Sequence, residues 1–334
     1  MAALKTLTHL LSNPALLKAY LLINGVSGLG KKLFVLLVFV YAIHAILKNN
    51  GFLRKKSVKN EHVFITGAGS GIGRQMALRL ARRGAKITVA DLNFEAAEKV
   101  AKEIIDAGGQ ALPVFCNVIV LENVKEAAKK AIETFCDVTI LINNAGIVSG
   151  KKLLDSPEKL IEMTIAVNTT SHAYTVREFL PAMLRKNHGH IVTIASLAGL
   201  VGVNGLADYC ASKFGAVGFD ESLRMELNQM KTKVKTTCIC PYFINTGMFE
   251  GVSSKVPFLF PILSEEYASR RIINAILQEE TNMVMPWSGN LVQFLRSILP
   301  VSVFDYLCDF LGANSSMDKF KGRGTAKQIL DNNI

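Results

Sequence analysis

The segment HVFITGAGSGIG, from His62 to Gly73, joins an apolar, β-branched run to a glycine-rich turn. Glycines in such a turn let backbone N–H groups approach a pyrophosphate at the positive end of the helix that follows. Many loops are rich in glycine, so the turn gains meaning from its place between a strand and a helix. There it predicts a dinucleotide site formed by Gly67, Ser70, Gly71, Ile72 and Gly73.

Runs of β-branched residues alternate with helical stretches on either side of this turn. The predicted strands cover residues 63–66, 86–91, 111–116, 139–142, 190–195 and 234–240, and the predicted helices cover 74–83, 94–107, 121–135, 157–185 and 209–229. This alternation predicts a doubly wound parallel sheet of the Rossmann type, an α/β fold with helices on both faces. Ligands of such sheets bind at the carboxyl ends of the strands.

Asp91 ends the second predicted strand, eighteen residues after Gly73. A carboxylate at that place accepts hydrogen bonds from ribose hydroxyls and repels a 2′-phosphate. No basic residue within the glycine turn offsets its charge, since position 70 is Ser. The cofactor is therefore predicted to be NAD rather than NADP. Asp91 also precedes a helix, and a role as helix N-cap is compatible with this one.

Tyr209 and Lys213 are four residues apart in a helical stretch, which places them on one helix face. Ser196 follows the fifth predicted strand, thirteen residues before Tyr209. Because an ammonium favours a nearby phenolate, Lys213 is expected to lower the pKa of Tyr209 from about 10 toward the range of a general acid/base. The Ser196 hydroxyl is expected to hold a substrate oxygen while Tyr209 transfers the proton.

These motifs, with Asn143-Asn-Ala-Gly146, resemble the short-chain dehydrogenase/reductase family over about residues 58–290. The resemblance implies hydride transfer between a nicotinamide and a substrate carbon, with Ser196, Tyr209 and Lys213 as catalytic residues. It implies that Asn168 is a fourth catalytic residue, which holds a water in the proton relay. The implied cofactor contacts further include Tyr209, Lys213, Asn144, Ala145 and Gly146, with Asn117 at the adenine and Thr246 at the carboxamide. Asn117 replaces the family's usual Asp, and Tyr242 its usual Gly.

The apolar N-terminus, the segment Phe243-Ile-Asn-Thr-Gly-Met-Phe249 and the segment Phe320-Lys-Gly-Arg-Gly324 are similar to one branch of this family. That branch contains retinol dehydrogenases of the epidermal type, short-chain retinal reductases and related 17β-hydroxysteroid dehydrogenases. The resemblance implies a lipophilic substrate, first all-trans-retinol or retinal, with a 17β-hydroxysteroid as the alternative, and a homodimer. A non-catalytic lipid-droplet protein is a third hypothesis, against which the intact catalytic set argues.

Positive charge is concentrated near the N-terminus. Of the net charge of +11, residues 1–60 carry +9. These charged residues lie on both sides of the uncharged, apolar residues 33–47. Such a pattern favours an anionic membrane surface over nucleic acid. A fifteen-residue helix extends about 22 Å against a hydrocarbon core of about 30 Å, so a span, a hairpin and an in-plane anchor all stay open. The predicted location is the endoplasmic reticulum membrane or a lipid droplet, with the catalytic domain facing the cytosol.

The C-terminal part contains two more apolar segments. Residues 256–263 follow the sixth predicted strand and suit a long apolar substrate. Residues 291–311 are expected to dock on a membrane, with a dimer contact or a helix capping the core as alternatives. The predicted domains are an anchor with a basic flank (1–56), an NAD-binding catalytic domain (57–290) and a C-terminal extension (291–334).

Neither the cysteines nor the histidines indicate a metal site. Six scattered cysteines predict reduced core thiols, with Cys238 and Cys240 on one face of a strand. His172 and His188 are expected to be packing or surface groups. No metal is predicted.

Overall fold

The computed structural model describes residues 55–322 and, as helix, seven positions between Gly30 and Val40. The chain divides into two compact units, Met1–Lys55 and Lys56–Ile334, and the sheet belongs to the second. Most of the predicted membrane anchor lies outside the described residues. Among those that are described, no helix combines the length and the apolar character needed to cross a membrane.

Seven parallel strands form one sheet, in the order β3-β2-β1-β4-β5-β6-β7. The order reverses between β1 and β4, and this switch point leaves a crevice at the carboxyl ends of the strands. The strands are β1 His62–Thr66, β2 Lys86–Asp91, β3 Gln110–Phe115, β4 Ile140–Asn143, β5 His190–Ile194, β6 Lys235–Pro241 and β7 Asn282–Met285. The predicted Rossmann-type parallel sheet is therefore confirmed.

Helices cover both faces of the sheet. They are α1 Gly71–Ala81, α2 Phe94–Asp106, α3 Leu121–Phe135, α4 Glu158–Ile165, α5 Ser171–Lys186, α6 Ala207–Gln229, α7 Glu265–Gln278, α8 Ser288–Ile298 and α9 Val301–Phe310. On one face α1, α2 and α7 bury Met76, Val100 and Ile272, and on the other face α3, α5 and α6 bury Val124, Phe179 and Leu223. Each such side chain stabilises the fold by about 1.5–3 kcal/mol through removal from water.

Helix α7 lies beyond the last predicted helix and was not predicted, and two further features of the fold differ from the prediction. The four-residue strand β7, Asn-Met-Val-Met, was not predicted, because so short a run shows no clear period. The predicted helix 157–185 is interrupted by a π-helical turn at Ala166–Thr170, which separates α4 from α5. The wide turn carries Asn168, whose side chain bonds outside the helix.

Candidate active site

The carboxyl ends of the central strands open onto one cavity with a volume of about 1100 Å³. This is larger than the roughly 300–1,000 Å³ usual for a pocket that holds one small ligand. All the residues predicted to bind the cofactor line it, and so do three of the four predicted catalytic residues. They are Gly67, Ser70, Gly71, Ile72, Gly73, Asp91, Asn117, Asn144, Ala145, Gly146, Ser196, Tyr209, Lys213 and Thr246.

The glycine turn presents the N-terminus of α1 to this cavity. The first turn of α1 contains no acidic residue, so nothing within it neutralises the positive end of the helix dipole. Gly73 packs so closely that a Cβ atom would overlap the carbonyl oxygen of Gly67 and lie 2.7 Å from Nδ2 of Asn144. The turn thus has the shape and the polarity of a pyrophosphate site.

Thr66 and Asn144 hold the glycine turn from below. Asn144 Nδ2 donates to the carbonyl oxygens of Thr66 at 2.9 Å and Gly67 at 3.0 Å. The Thr66 hydroxyl accepts hydrogen bonds from the backbone N–H groups of Asn144 and Ala145 at 2.9 and 3.0 Å. The side-chain amide of Asn144 therefore supports the turn. Thr66 was not singled out from the sequence, where its only signal was its place at the end of β1.

Asp91 ends β2 and borders the cavity. Its Oδ2 accepts a hydrogen bond from the backbone N–H of Gly69 at 2.8 Å, and its Oδ1 accepts one from Asn93 at 2.9 Å. Asn93, and not Asp91, is the N-cap of α2, since its side chain accepts from the N–H of Ala96. The Asp91 carboxylate thus connects the glycine turn to the end of β2.

Asn117 and Thr246 lie on the walls of the same cavity. Asn117 Oδ1 accepts a hydrogen bond from the N–H of Ile119 at 3.3 Å, and its second lone pair can still accept another. Thr246 Oγ1 accepts one from the N–H of Met248 at 3.4 Å. Both side chains therefore have local partners at the cavity wall.

Ser196, Tyr209 and Lys213 meet at the end of β5. Tyr209 and Lys213 are 5% and 4% exposed, and Lys213 Nζ lies 5.7 Å from the centroid of the Tyr209 ring. Lys213 Nζ donates a hydrogen bond to the carbonyl oxygen of Ile194 at 2.9 Å. Ser196 Oγ donates a hydrogen bond to the carbonyl oxygen of Pro241 at 3.4 Å, and Ser196 is close enough to the Tyr209 phenol to lower its pKa. The serine hydroxyl and the phenol are thus adjacent, as proton transfer at one substrate oxygen requires.

Burial dominates the acid–base properties of this pair. It raises the pKa of Tyr209 well above the usual value for tyrosine, and the hydrogen bond from Ser196 offsets only part of that change. Burial also lowers the pKa of Lys213 to about 8. The prediction that the Tyr209 pKa lies below its usual value is therefore wrong for the unliganded chain, because an apolar environment disfavours the charged forms of both Tyr209 and Lys213.

Asn168 lies on the π-helical turn behind the cavity and is fully buried. Its Oδ1 accepts from the N–H of Ile147 and its Nδ2 donates to the carbonyl oxygen of Ile147, both at 2.9 Å. Nδ2 also donates to the Ser212 hydroxyl at 2.9 Å, which in turn donates to the carbonyl oxygen of Tyr209 at 2.7 Å. The side chain thus connects the loop after β4 to α6, and its predicted role in holding a water stays a prediction.

The two C-terminal helices α8 and α9 form part of the cavity wall. This contribution was not predicted from the sequence. Their apolar side chains on the inner face repeat at helical spacing, the one signal that could have revealed it. These residues are Leu291, Val292 and Leu295 on α8, Phe304, Leu307 and Cys308 on α9, and Leu311 just after it.

The remaining histidines and cysteines lie outside the catalytic group. His172 is fully buried beside the Phe219 ring, and burial lowers its pKa to about 3. His188 is exposed and bonds to Glu61. The Sγ atoms of Cys238 and Cys240 lie 3.9 Å apart on one face of β6, as predicted. The prediction of core thiols holds for Cys116, Cys210, Cys238 and Cys240 and is wrong for the exposed Cys136.

Known proteins are similar to this chain in sequence and in fold. The short chain dehydrogenase family matches residues 61–257. Human epidermal retinol dehydrogenase 2 is 46% identical over 294 residues, which cover 87% of this chain and 93% of that protein. Rat retinol dehydrogenase 10 is 40% identical, with 84% and 90% covered. A Burkholderia phymatum short chain dehydrogenase/reductase, solved in complex with NAD, has 26% identity and a TM-score of 0.66, with 72% and 94% covered.

The family match at residues 61–257 includes the glycine turn and Ser196, Tyr209 and Lys213. The chain belongs to the short chain dehydrogenase family, in the branch that contains the epidermal-type retinol dehydrogenases.

Proposed function

We propose that this protein transfers a hydride between NAD(H) and a lipophilic alcohol or carbonyl, first of all all-trans-retinol and retinal. One observation carries the proposal: a single cavity joins the glycine turn and Asp91 to the Ser196, Tyr209 and Lys213 group, and continues between the apolar helices α8 and α9. The similarity to human epidermal retinol dehydrogenase 2 supports retinol as the substrate. Because the catalytic set is intact, a purely non-catalytic role is not favoured.

The glycine turn and the residues around it fit a dinucleotide cofactor. The N-terminus of α1 would hold the pyrophosphate, because its backbone N–H groups and dipole favour an anion. Asp91 would accept hydrogen bonds from the ribose, and its negative charge favours NAD over NADP. Asn117 would contact the adenine, and Thr246 the carboxamide. When bound, the oxidised nicotinamide supplies the hydride acceptor.

Side chains of the protein transfer the hydroxyl proton of the substrate. In alcohol oxidation the Ser196 hydroxyl would hold the substrate oxygen. Tyr209 would pass its own phenol proton toward neutral Lys213 and take up the alcohol proton as the carbonyl forms, so that one proton leaves for each alcohol oxidised. Lys213, fixed by its bond to the Ile194 carbonyl oxygen, stands beside the phenol ring. With a pKa of about 8, this lysine can exchange a proton near neutral pH. Asn168 connects the loop after β4 to helix α6 through hydrogen bonds, and so helps to position Tyr209 and Lys213 on that helix.

A substrate screen with membranes that contain the full chain tests the proposed function. We expect NAD-dependent oxidation of all-trans-retinol to be at least about tenfold faster than that of a 17β-hydroxysteroid, since a pocket built for one shape discriminates to about this extent. Formation of retinal and of NADH is measured, with NADP in parallel reactions. Faster turnover of the steroid would instead select the hydroxysteroid alternative. Cofactor binding without any turnover would favour the non-catalytic alternative.

We further propose that the protein docks on a membrane or lipid-droplet surface at the endoplasmic reticulum, with residues 57–290 as the cytosol-facing catalytic domain. Residues 1–56 would anchor it, and the extension 291–334 would form a second contact. The outward faces of α8 and α9 support this, since their large apolar side chains are 46–76% exposed. They are Phe294, Ile298, Val301, Val303, Tyr306 and Phe310. The homodimer through α5 and α6 remains part of the same proposal.

Deletion of residues 1–50 is expected to move most of the protein from sedimented membranes to the supernatant, because it removes the apolar residues 33–47 and five of the nine positive charges of residues 1–60. Sedimentation followed by immunoblotting measures the shift, and Leu154→Ser in the full chain, at a residue that is 98% exposed, is the control. Complete retention of the deletion variant would place the anchor in the extension 291–334.

A further inference from the structure

The end of the described chain forms part of the cavity wall. We call residues 313–322 the C-terminal strap. The strap is bonded to the segment that follows β6: Ser253 N–H donates to the carbonyl oxygen of Ser316 at 3.1 Å, and Lys321 N–H donates to that of Glu250 at 2.8 Å. Ser316, Phe320, Lys321 and Gly322 all line the cavity.

Phe320 of the strap rests on the bare backbone of Gly150. A Cβ atom on Gly150 would overlap the Phe320 ring and lie 2.6 Å from its Cζ atom. Gly150 also has a φ of +62°, a conformation that glycine adopts without penalty and other residues rarely do. The loop after β4 is therefore shaped to receive this ring, although the two residues are 170 positions apart.

A row of aromatic rings connects Phe320 with the catalytic phenol. The ring centroids of Phe320 and Phe249 are 6.4 Å apart, and those of Phe249 and Tyr209 are 5.7 Å apart, both in edge-on arrangements. Such pairs contribute stability beyond simple burial and fix the ring orientations. The strap is thus two ring contacts away from Tyr209.

Phe320 also separates two chemically different spaces. It lines both the large cavity and a second hollow of about 490 Å³. Charged and polar side chains line that hollow, namely Lys151, Lys152, Asp155, Asn204 and Asp318. On the cavity side Phe320 instead packs with the apolar cluster that contains Val148, Phe243 and Tyr209. Phe320 therefore belongs to the linings of both an apolar chamber and a polar hollow, which also share Gly150 and Lys151.

We propose that Phe320 is a specificity-determining residue: its ring is the wall that limits the width of the substrate chamber and separates it from the polar hollow. The proposal rests on the proposed function, in that the substrate is an apolar alcohol. A slender polyene then fits in the chamber beside the Phe320 ring, while a broad substrate collides with the ring. Gly150 takes part by leaving room for the ring.

Phe320→Ala tests this role against two alcohols, all-trans-retinol and a 17β-hydroxysteroid. We expect the ratio of kcat/KM for retinol to kcat/KM for the steroid to fall about tenfold or more, chiefly through a lower KM for the steroid, because the ring that limits the width of the chamber is gone and small changes in an apolar wall alter discrimination by about 10–200-fold. The KM for NAD should stay the same. Gly150→Ala should lower the ratio too, because its methyl group displaces the ring. Phe258→Ala is the matched control, since Phe258 is 82% exposed and lies outside the cavity wall.

Retinol affinity, measured by retinol fluorescence, gives a readout that does not need turnover, and the thermal midpoint shows whether each variant is folded. A folded Phe320→Ala variant that keeps the parent ratio and the parent affinity within twofold would overturn the proposal. A parent chain that binds retinol without oxidising it would overturn the proposed function, while the affinities for the two alcohols would still test Phe320.

Discussion

Replacement of Tyr209 by Phe is expected to slow retinol oxidation by about 10³-fold, within the 10²–10⁴-fold that a positioned acid/base group contributes. The substitution removes one oxygen atom and leaves the ring that packs against Phe249. Among the described residues, Tyr209 is the group beside Ser196 that we expect to accept the substrate proton. The loss should therefore appear in kcat, with little change in cofactor binding.

Steady-state rates and a titration of NADH fluorescence measure the two quantities separately. Tyr267→Phe is the control, because Tyr267 lies on the surface helix α7 and its substitution removes the same atom far from the cavity. Turnover of Tyr209→Phe within tenfold of the parent rate would show that another group moves the proton.

Replacement of Asp91 by Ala is expected to weaken the preference for NAD strongly. The parent carboxylate repels a 2′-phosphate, and without it that repulsion disappears together with the hydrogen bond to the Gly69 N–H. We expect the ratio of kcat/KM with NAD to kcat/KM with NADP to fall by about 100-fold, which corresponds to about 2.8 kcal/mol. Rates with each cofactor at saturating retinol, over a range of cofactor concentrations, give the ratio.

The control for this change is Asp106→Ala. Asp106 ends α2 and forms a surface ion pair with Lys102, so its loss should not alter the cofactor ratio. A parent protein that turns over faster with NADP, or an Asp91→Ala variant with an unchanged ratio, would be incompatible with the role given to Asp91.

The part of the fold that could be predicted is the part with local signals. The run from His62 to Gly73 could be predicted from the sequence, because an apolar strand, a glycine turn and the start of a helix follow each other without a gap. Each of the six predicted strands agrees with the structure to within one residue at either end. The spacing of Tyr209 and Lys213 also placed both on one helix, with Ser196 beside them.

What could not be predicted depends on contacts between distant residues. The π-helical turn at Asn168 forms where its side chain bonds to Ile147, a partner that a helix pattern does not reveal. The raised pKa of Tyr209 depends on how many apolar groups surround it, and spacing alone shows only the nearby lysine. The meeting of Phe320 with Gly150 likewise appears only when the chain is folded.

Direct hydride transfer from an apolar alcohol to NAD, in the cavity that holds Tyr209, can be followed with an isotope. The experiment uses all-trans-retinol with both hydrogens of the carbinol carbon replaced by deuterium, incubated with NAD and membranes that contain the full chain. Mass spectrometry of the nucleotide is expected to show one deuterium in each NADH formed, in step with retinal, and product formation about 10³-fold slower with Tyr209→Phe. Retinal formed while the deuterium appears in water, or no retinal from a chain that binds NAD, would contradict the claim.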